Sequence, residues 1–222
     1  MGFLAGLSLA SLRAKKENID RDIIFNFAFL VFISGVIGAR LFYVLEHFSD
    51  YADSLLEIVM LQHGGMSWFG GLTLGSLCGL IYLKKKQVPV YKVLDLIVPF
   101  LALAQAIGRI GCLLNGCCFG KVSSFGIYFS VHQAILIPTQ LYSSLFLLLI
   151  FIILRFLQES PHQPGQILFT YLFLYSLKRF FIEFLRADNP RVIMGLTLFQ
   201  LISITILCLA VYKLISINRS KT

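Results

Sequence analysis

Residues 91–121 read YKVLDLIVPFLALAQAIGRIGCLLNGCCFGK. From Tyr91 to Leu114 the run is apolar and long enough for a membrane-crossing helix, which takes ~20 residues. One permanent cation, Arg109, sits near its end, and Cys112, Cys117 and Cys118 follow it closely. The rest of the chain has the same character. It is 58% hydrophobic over 222 residues, with 21 Phe, only 14% charged residues and a mean hydropathy of +0.83. A water-soluble domain of this length has no interior large enough for so much apolar surface, so composition excludes that class. The expectation is an all-α fold: a polytopic membrane helix bundle forming a single integral-membrane domain over residues 1–222.

Working outward, seven apolar segments emerge: Met1–Leu12, Ile23–Leu45, Gly64–Leu83, Tyr91–Leu114, Ile137–Phe156, Gly165–Leu185 and Met194–Ile217. The first is about half a span, which reads as a short or truncated helix. Basic residues follow alternate segments: Arg13, Lys15, Lys16 and Arg21, then Lys84, Lys85, Lys86 and Lys92, then Arg155, and finally Lys213, Arg219 and Lys221. The stretch from Glu46 to His63 carries Glu46, Asp50, Asp53 and Glu57 with no Lys or Arg. The positive-inside rule then places the N-terminus outside and the C-terminus in the cytoplasm. The +8 net charge is read as topology, with no nucleic-acid partner. The odd cysteine count supports no disulfide framework, and no cleavable signal peptide is expected at the N-terminus.

Four cations fall at membrane depth or near it: Arg40, Arg109, Lys178 and Arg179. Charges there are costly and mark functional interiors. Glu183 and Arg186 lie four and seven residues beyond Arg179, so the three share a face of a continuous helix. The alternative is that Arg179–Glu183 is a structural pair while Lys178 and Arg186 snorkel to an interface.

Gly108 and Gly111 leave room beside Arg109 for a phosphate, which a planar guanidinium binds through two charge-assisted hydrogen bonds. Arg109 and Arg179, from separate helices, form a candidate clamp for one phosphodiester. Asn115-Gly116 and Phe119-Gly120 read as turns ending the helix. In the third segment, Gly75 and Gly79 continue a small-xxx-small stripe suited to helix packing. HGGMSWFGG, from His63 to Gly71, suggests backbone N–H groups presented to a headgroup, with Trp68 as an interfacial anchor. Thr139, Gln140 and Tyr142 put polar groups at the start of the fifth segment, where capping explains Thr139 better than the other two. The cysteines admit packing, a disulfide or thiol chemistry, in that order. Their Cys-x4-Cys-Cys spacing lacks the paired CxxC of a structural zinc site, so no metal and no cofactor is expected.

Together these motifs resemble the bacterial phospholipid:prolipoprotein diacylglyceryl transferase family. GARLFYVLEHF (38–48) resembles its G-[GA]-R-[LI]-x-Y-V-L, GGMSWFGG (64–71) its GGMSFHGG, and AQAIGRIGCLLNGCCFG (104–120) its AQAIGRxGNFxNxExxG. PTQLY (138–142) is similar to HPSQLYE, and residues 175–186 match Y-x-x-x-R-F-x-x-E-x-x-R. The resemblance runs from about Gly35 to the last helix.

It implies a multi-pass protein of the bacterial cytoplasmic (inner) membrane. Its reaction transfers a diacylglyceryl group from phosphatidylglycerol, a membrane lipid, to the lipobox cysteine of a prolipoprotein signal peptide. By resemblance, the catalytic set is Arg109, Arg179, Glu183 and Tyr175: the arginines on the phosphate, Glu183 orienting Arg179, and Tyr175 lining the site. The lipid-binding set is Arg109, Arg179, Gly108, Asn115, Gly120, Gln140 and Tyr142. The sequence departs from the family pattern at Phe69, Cys112, Cys117, Ile137 and Ser143, which stand for a histidine, an asparagine, a glutamate, a histidine and a glutamate. His63 lies near the first of these but outside the motif. Two alternatives follow: a paralogue with another acceptor, and a non-catalytic phospholipid-binding membrane protein.

Overall fold

Backbone N–H and C=O groups in hydrocarbon must be satisfied within the chain, and a helix does this locally. The computed structural model describes residues 1–51, 55–60 and 64–219; Asp53 and His63 lie outside them. Among the described residues there are seven α-helices: α1 (Gly2–Lys16), α2 (Arg21–Glu46), α3 (Trp68–Lys85), α4 (Val90–Leu114), α5 (Thr139–Glu159), α6 (Gln166–Glu183) and α7 (Leu198–Arg219). Each coincides with one apolar segment of the sequence. By length and composition α2, α4, α5 and α7 can cross a membrane, and the chain is a multi-pass helical membrane protein. Two short hairpins were not anticipated: β1 (Val122–Phe129) with β2 (Ala134–Leu136), and β3 (Arg191–Ile193) with β4 (Leu196–Thr197), both antiparallel.

The chain divides into two compact units, Ser11–Val93 and Met1–Ala10 with Leu94–Thr222. In the first, α2 and α3 pack through glycine. A Cβ on Gly70 would run into the Gly38 carbonyl and the Phe42 side chain, and one on Gly38 would run into the Gly70 carbonyl. A Cβ on Gly75 would lie 3.2 Å from the Val31 carbonyl oxygen, and one on Gly79 2.7 Å from Val31 Cγ2. The stripe thus sets how closely the two backbones approach.

Arg40 at the end of this pair is buried. Its guanidinium donates to the carbonyls of Glu57, Ile58, Met60, Gly64 and Gly65, and it lies 5.2 Å from the Tyr51 ring centroid. Gly64 and Gly65 have φ of +80° and +75°, a left-handed backbone that glycine adopts without strain. The glycine cluster before α3 therefore turns carbonyls onto Arg40, so this cation satisfies loop backbone.

In the second unit Pro99 interrupts α4. Proline has no N–H, so the carbonyl four residues back loses its helical partner. That carbonyl belongs to Asp95, and Gln158 Nε2 of α5 donates to it at 3.1 Å and to Leu96 O at 3.2 Å. The Asp95 carboxylate accepts from the Gly165 and Leu168 amides at 2.6 and 2.8 Å. It thereby places negative charge at the N-terminus of α6, where the helix dipole favours it. Tyr171 OH donates to Gln105 Oε1 at 2.8 Å and Ser144 Oγ to the Ala106 carbonyl at 2.9 Å. Val98, Ala102, Ile150, Leu154, Ile167 and Tyr171 fill the space among α4, α5 and α6.

Because the Gly70 contact is with backbone, Gly70→Val is expected to cost about 3 kcal/mol, the upper end of over-packing penalties. Gly111→Ala, whose Cβ would meet nothing within 4 Å, serves as the neutral comparison. Thermal unfolding in detergent should show a depressed midpoint for the first variant alone.

Candidate functional site

The site grows from the C-terminus of α4. That helix ends in a Schellman motif: Cys117 N–H donates to Cys112 O and Gly116 N–H to Leu113 O, each at 3.1 Å. Gly116 takes the left-handed conformation the motif requires, φ +67°. The turn leaves Arg109 half-buried on the last turns of the helix. Flanking Gly108 and Gly111 are exposed, with no atom within 4 Å of an added Cβ, so space beside the guanidinium is open. Asn115 is exposed at the helix end.

The loop that follows is held from α5. Gln140 Nε2 donates to Cys117 O and Thr139 Oγ1 to Cys118 O, each at 2.6 Å, and both side chains are almost completely buried. Gln140, expected to touch lipid, thus uses its amide N–H on the loop. Gly120 is buried between two neighbours: an added Cβ would lie 2.7 Å from both Ile137 Cβ and the Leu185 carbonyl oxygen. It pairs across an antiparallel bridge with Arg186.

From α6 come Tyr175, Lys178, Arg179 and Glu183. Arg179 Nη2 meets Glu183 Oε2 at 3.1 Å, so the expected i,i+4 pair forms. The Glu183 side chain has no exposed surface. Its other oxygen accepts from Asn189 Nδ2 at 2.6 Å and Thr197 Oγ1 at 3.0 Å. Thr197 and Gln200 form a reciprocal capping box at the start of α7, with bonds of 2.9 and 3.3 Å. The guanidinium carbon of Arg179 lies 4.6 Å from the Phe199 ring centroid.

Two expectations are corrected. The helix stops at Glu183, so Arg186 does not continue the Arg179 face; it pairs in the following turn with Asp188, Nε to Oδ1 at 2.8 Å and Nη2 to Oδ2. Lys178 does not snorkel: it is 6% exposed, with its ammonium 4.3 Å from the Tyr175 ring centroid.

Arg109, Arg179 and Arg186 all lie close enough to act electrostatically on Lys178. Against them stand Glu183 and Asp188. Burial opposes ionisation of Cys118, yet Arg186 and Arg109 outweigh it and hold that thiol below its ordinary value. Burial likewise disfavours charge on Asp188, but hydrogen bonds and charge from Arg186 bring its carboxyl below the usual range. Lys178 also lines an apolar groove of about 370 Å³ between α5 and α6, with Tyr142, Phe146, Leu177, Phe181 and Leu185. Lys178 thus links the arginines to this groove.

A family model described as prolipoprotein diacylglyceryl transferase matches residues 1–216. The chain belongs to this family. A phosphatidylglycerol--prolipoprotein diacylglyceryl transferase of Clostridium tetani is 34% identical over 219 residues, covering 96% of this chain and 88% of that protein. The enzyme of the same description from Clostridioides difficile is 37% identical over 188 residues, covering 85% and 76%. One from Clostridium botulinum strain Hall is 34% identical over 231 residues, covering 100% and 91%.

Of the residues expected from this family's motifs, the structure brings Arg109, Arg179, Glu183 and Tyr175 into one cluster and puts Tyr142 on the groove. Gln140 and Gly120 shape the adjoining loop. Asp188, Asn189 and Thr197 were not anticipated. Thr197-x-x-Gln200 was a readable capping signal, whereas nothing local marks Asp188 or Asn189 as partners of Arg186 and Glu183.

Two outcomes are expected. Glu183→Ala leaves Arg179 without its ion-pair partner and Asn189 and Thr197 without their acceptor, and should cost about 3–5 kcal/mol, while Glu183→Gln, which keeps an acceptor oxygen, loses less; unfolding in detergent checks this. Asp188 carries a folded-state pKa below its unfolded value, so its stabilisation is present above ~pH 4 and lost as pH falls through the folded value. The acid limb of a midpoint-against-pH profile should be shallower in Asp188→Asn than in the parent.

Proposed function

We propose that this chain transfers the diacylglyceryl group of phosphatidylglycerol to the lipobox cysteine thiol of prolipoproteins in the bacterial cytoplasmic membrane. The N-terminus is outside and the C-terminus inside, so the α4 end and the cation cluster face the outer leaflet. The observation that carries the reading is that Arg109, Arg179 and Arg186 act on Lys178, which itself lines an apolar groove. A phospholipid combines an anionic head with acyl tails, and this site offers a counterpart to each.

In this reading the acyl chains lie in the α5–α6 groove and the phosphodiester rests between Arg109 and Arg179. The acceptor sulfur forms a bond to the glyceryl carbon as that carbon's bond to phosphate oxygen breaks. Glycerol phosphate leaves with the electron pair, and the thiol proton passes to a base. The arginines meet the charge gathering on the departing phosphate, which is electrostatic stabilisation of the transition state. Glu183, fixed by Asn189 and Thr197, acts as a positioning residue for Arg179. Tyr175 lies against Lys178 and supports its buried ammonium.

Expression in a strain depleted of its own diacylglyceryl transferase tests this. The wild-type chain should restore growth and prolipoprotein lipidation, and Arg109→Ala or Arg179→Ala should lower lipidation by at least ~100-fold, the loss typical of removing a transition-state charge partner. A well-expressed wild-type chain that neither rescues nor lipidates overturns the reading in favour of a lipid-binding protein. Full activity in Arg109→Ala removes the phosphate-clamp assignment.

A further inference from the structure

The Sγ atoms of Cys112, Cys117 and Cys118 lie within 4.8 Å of one another, and all five cysteines of the chain are free thiols. Sequence spacing gave no reason to expect this, because Cys-x4-Cys-Cys is not a paired zinc motif. The backbone supplies the reason. In a Schellman motif the third residue from the helix end and the second residue past the cap come into side-chain contact. Those positions are held here by Cys112 and Cys117, and Cys117 Sγ lies 3.7 Å from Cys112 O.

Helix termination accounts for two thiols and leaves the third unexplained. Cys118 has φ +62°, a left-handed conformation costing a residue with a Cβ roughly 1–2 kcal/mol. The same loop placed a glycine at the left-handed position before it, so the chain had access to an unstrained solution. Strain of this kind persists where surrounding structure over-determines it. Here Gln140 and Thr139, almost fully buried, clamp the Cys117 and Cys118 carbonyls. The result of the strained residue is that a third sulfur joins the pair.

We propose that Cys112, Cys117 and Cys118 form a trithiolate site for a soft, thiophilic d10 cation, Zn(II) or Cu(I). Soft thiolate sulfur selects these ions over the hard cations that carboxylates bind. Metal–sulfur bonds of about 2.3 Å around one ion hold three sulfurs ~4 Å apart. The thiols therefore need to draw together by less than about 1 Å from their 4.8 Å limit. Three thiolates around such an ion keep a net negative charge, and Arg109 and Arg186 both act on this cluster electrostatically. Gln140 and Thr139 hold the backbone that carries two of the three sulfurs. Among the described residues no fourth His, Cys or carboxylate joins the group. A trigonal Cu(I) site, or Zn(II) with a water in the fourth position, fits that set. The inference is independent of the transfer reaction.

The test uses the full chain purified in detergent, reduced and stripped of metal. It is titrated separately with Cd(II), as a spectroscopic stand-in for Zn(II), and anaerobically with Cu(I) against a chromogenic chelator. One equivalent should saturate a thiolate charge-transfer band in at least one arm. Stoichiometric Zn(II) uptake that Cd(II) then displaces assigns a zinc-type site, and uptake confined to the Cu(I) arm assigns a copper site. Cys112→Ser, Cys117→Ser and Cys118→Gly should each abolish the stoichiometric step, while a Cys78→Ser/Cys208→Ser double variant keeps it. Cys118→Gly suits the left-handed turn, so its loss of binding reports the missing sulfur and not a misfolded loop. Gln140→Leu should weaken binding by about 10–100-fold. Absence of a saturable step in both arms, or an unchanged step in Cys117→Ser, overturns the proposal. Uptake is read on the protein alone, so its failure is distinguishable from failure of the lipidation assay.

Discussion

A carboxylate with no exposed surface, Glu183, holds the functional end of this molecule together. It stands at the last residue of α6, where the helix offers no further hydrogen bonds, and three partners converge on it: Arg179, Asn189 and Thr197. A lone charge so placed would cost several kcal/mol, and pairing without the remaining hydrogen bonds would not recover it. Asn189 brings the turn after α6 to the site, and Thr197 brings the start of α7. Arg179 is thereby fixed between Glu183 and the Phe199 ring, within electrostatic reach of Lys178.

Elsewhere the recurring constraint is the backbone carbonyl left without a helical partner. Each case finds a buried side-chain donor. Arg40 gathers five loop carbonyls, Gln158 takes the one released by Pro99, and Gln140 with Thr139 take those of the cysteine loop. In hydrocarbon water cannot fill this role. Polar residues in these helices therefore divide into two kinds, those that complete backbone and those that pair with other side chains. Arg40 belongs to the first, although its charge and depth alone resemble those of Arg109. Gln140 also completes backbone, beside residues assigned to the lipid.

The family relationship and the cysteine loop bear on different questions. The arginine–glutamate machinery stands at the positions the family motifs predict, consistent with a donor phospholipid. At Cys112 and Cys117 this chain departs from the family pattern, and the departures fall together in space with Cys118. A shared helix-capping geometry makes the two substitutions neighbours, so they act as one local change.

Much of the architecture was legible in sequence because hydrophobic length is a one-dimensional property. Seven apolar runs became seven helices, the Gly75–Gly79 stripe became a close helix contact, and Arg179 found Glu183 one turn away. What depended on residues distant in sequence was not legible. Where α6 stops, and hence whether Arg186 shares the Arg179 face, goes with the bridge that Arg186 forms to Gly120. Lys178 stays buried because α4 and α6 carry other groups to it, which no local pattern encodes. Composition and spacing thus determined a membrane helix bundle with arginines suited to phosphate. The meeting of three thiols is a local consequence of how α4 ends, which the cysteine spacing did not signal. Only the tertiary structure decided which cations bind loop backbone and which gather around Lys178, because each outcome rests on contacts between segments that the sequence keeps apart.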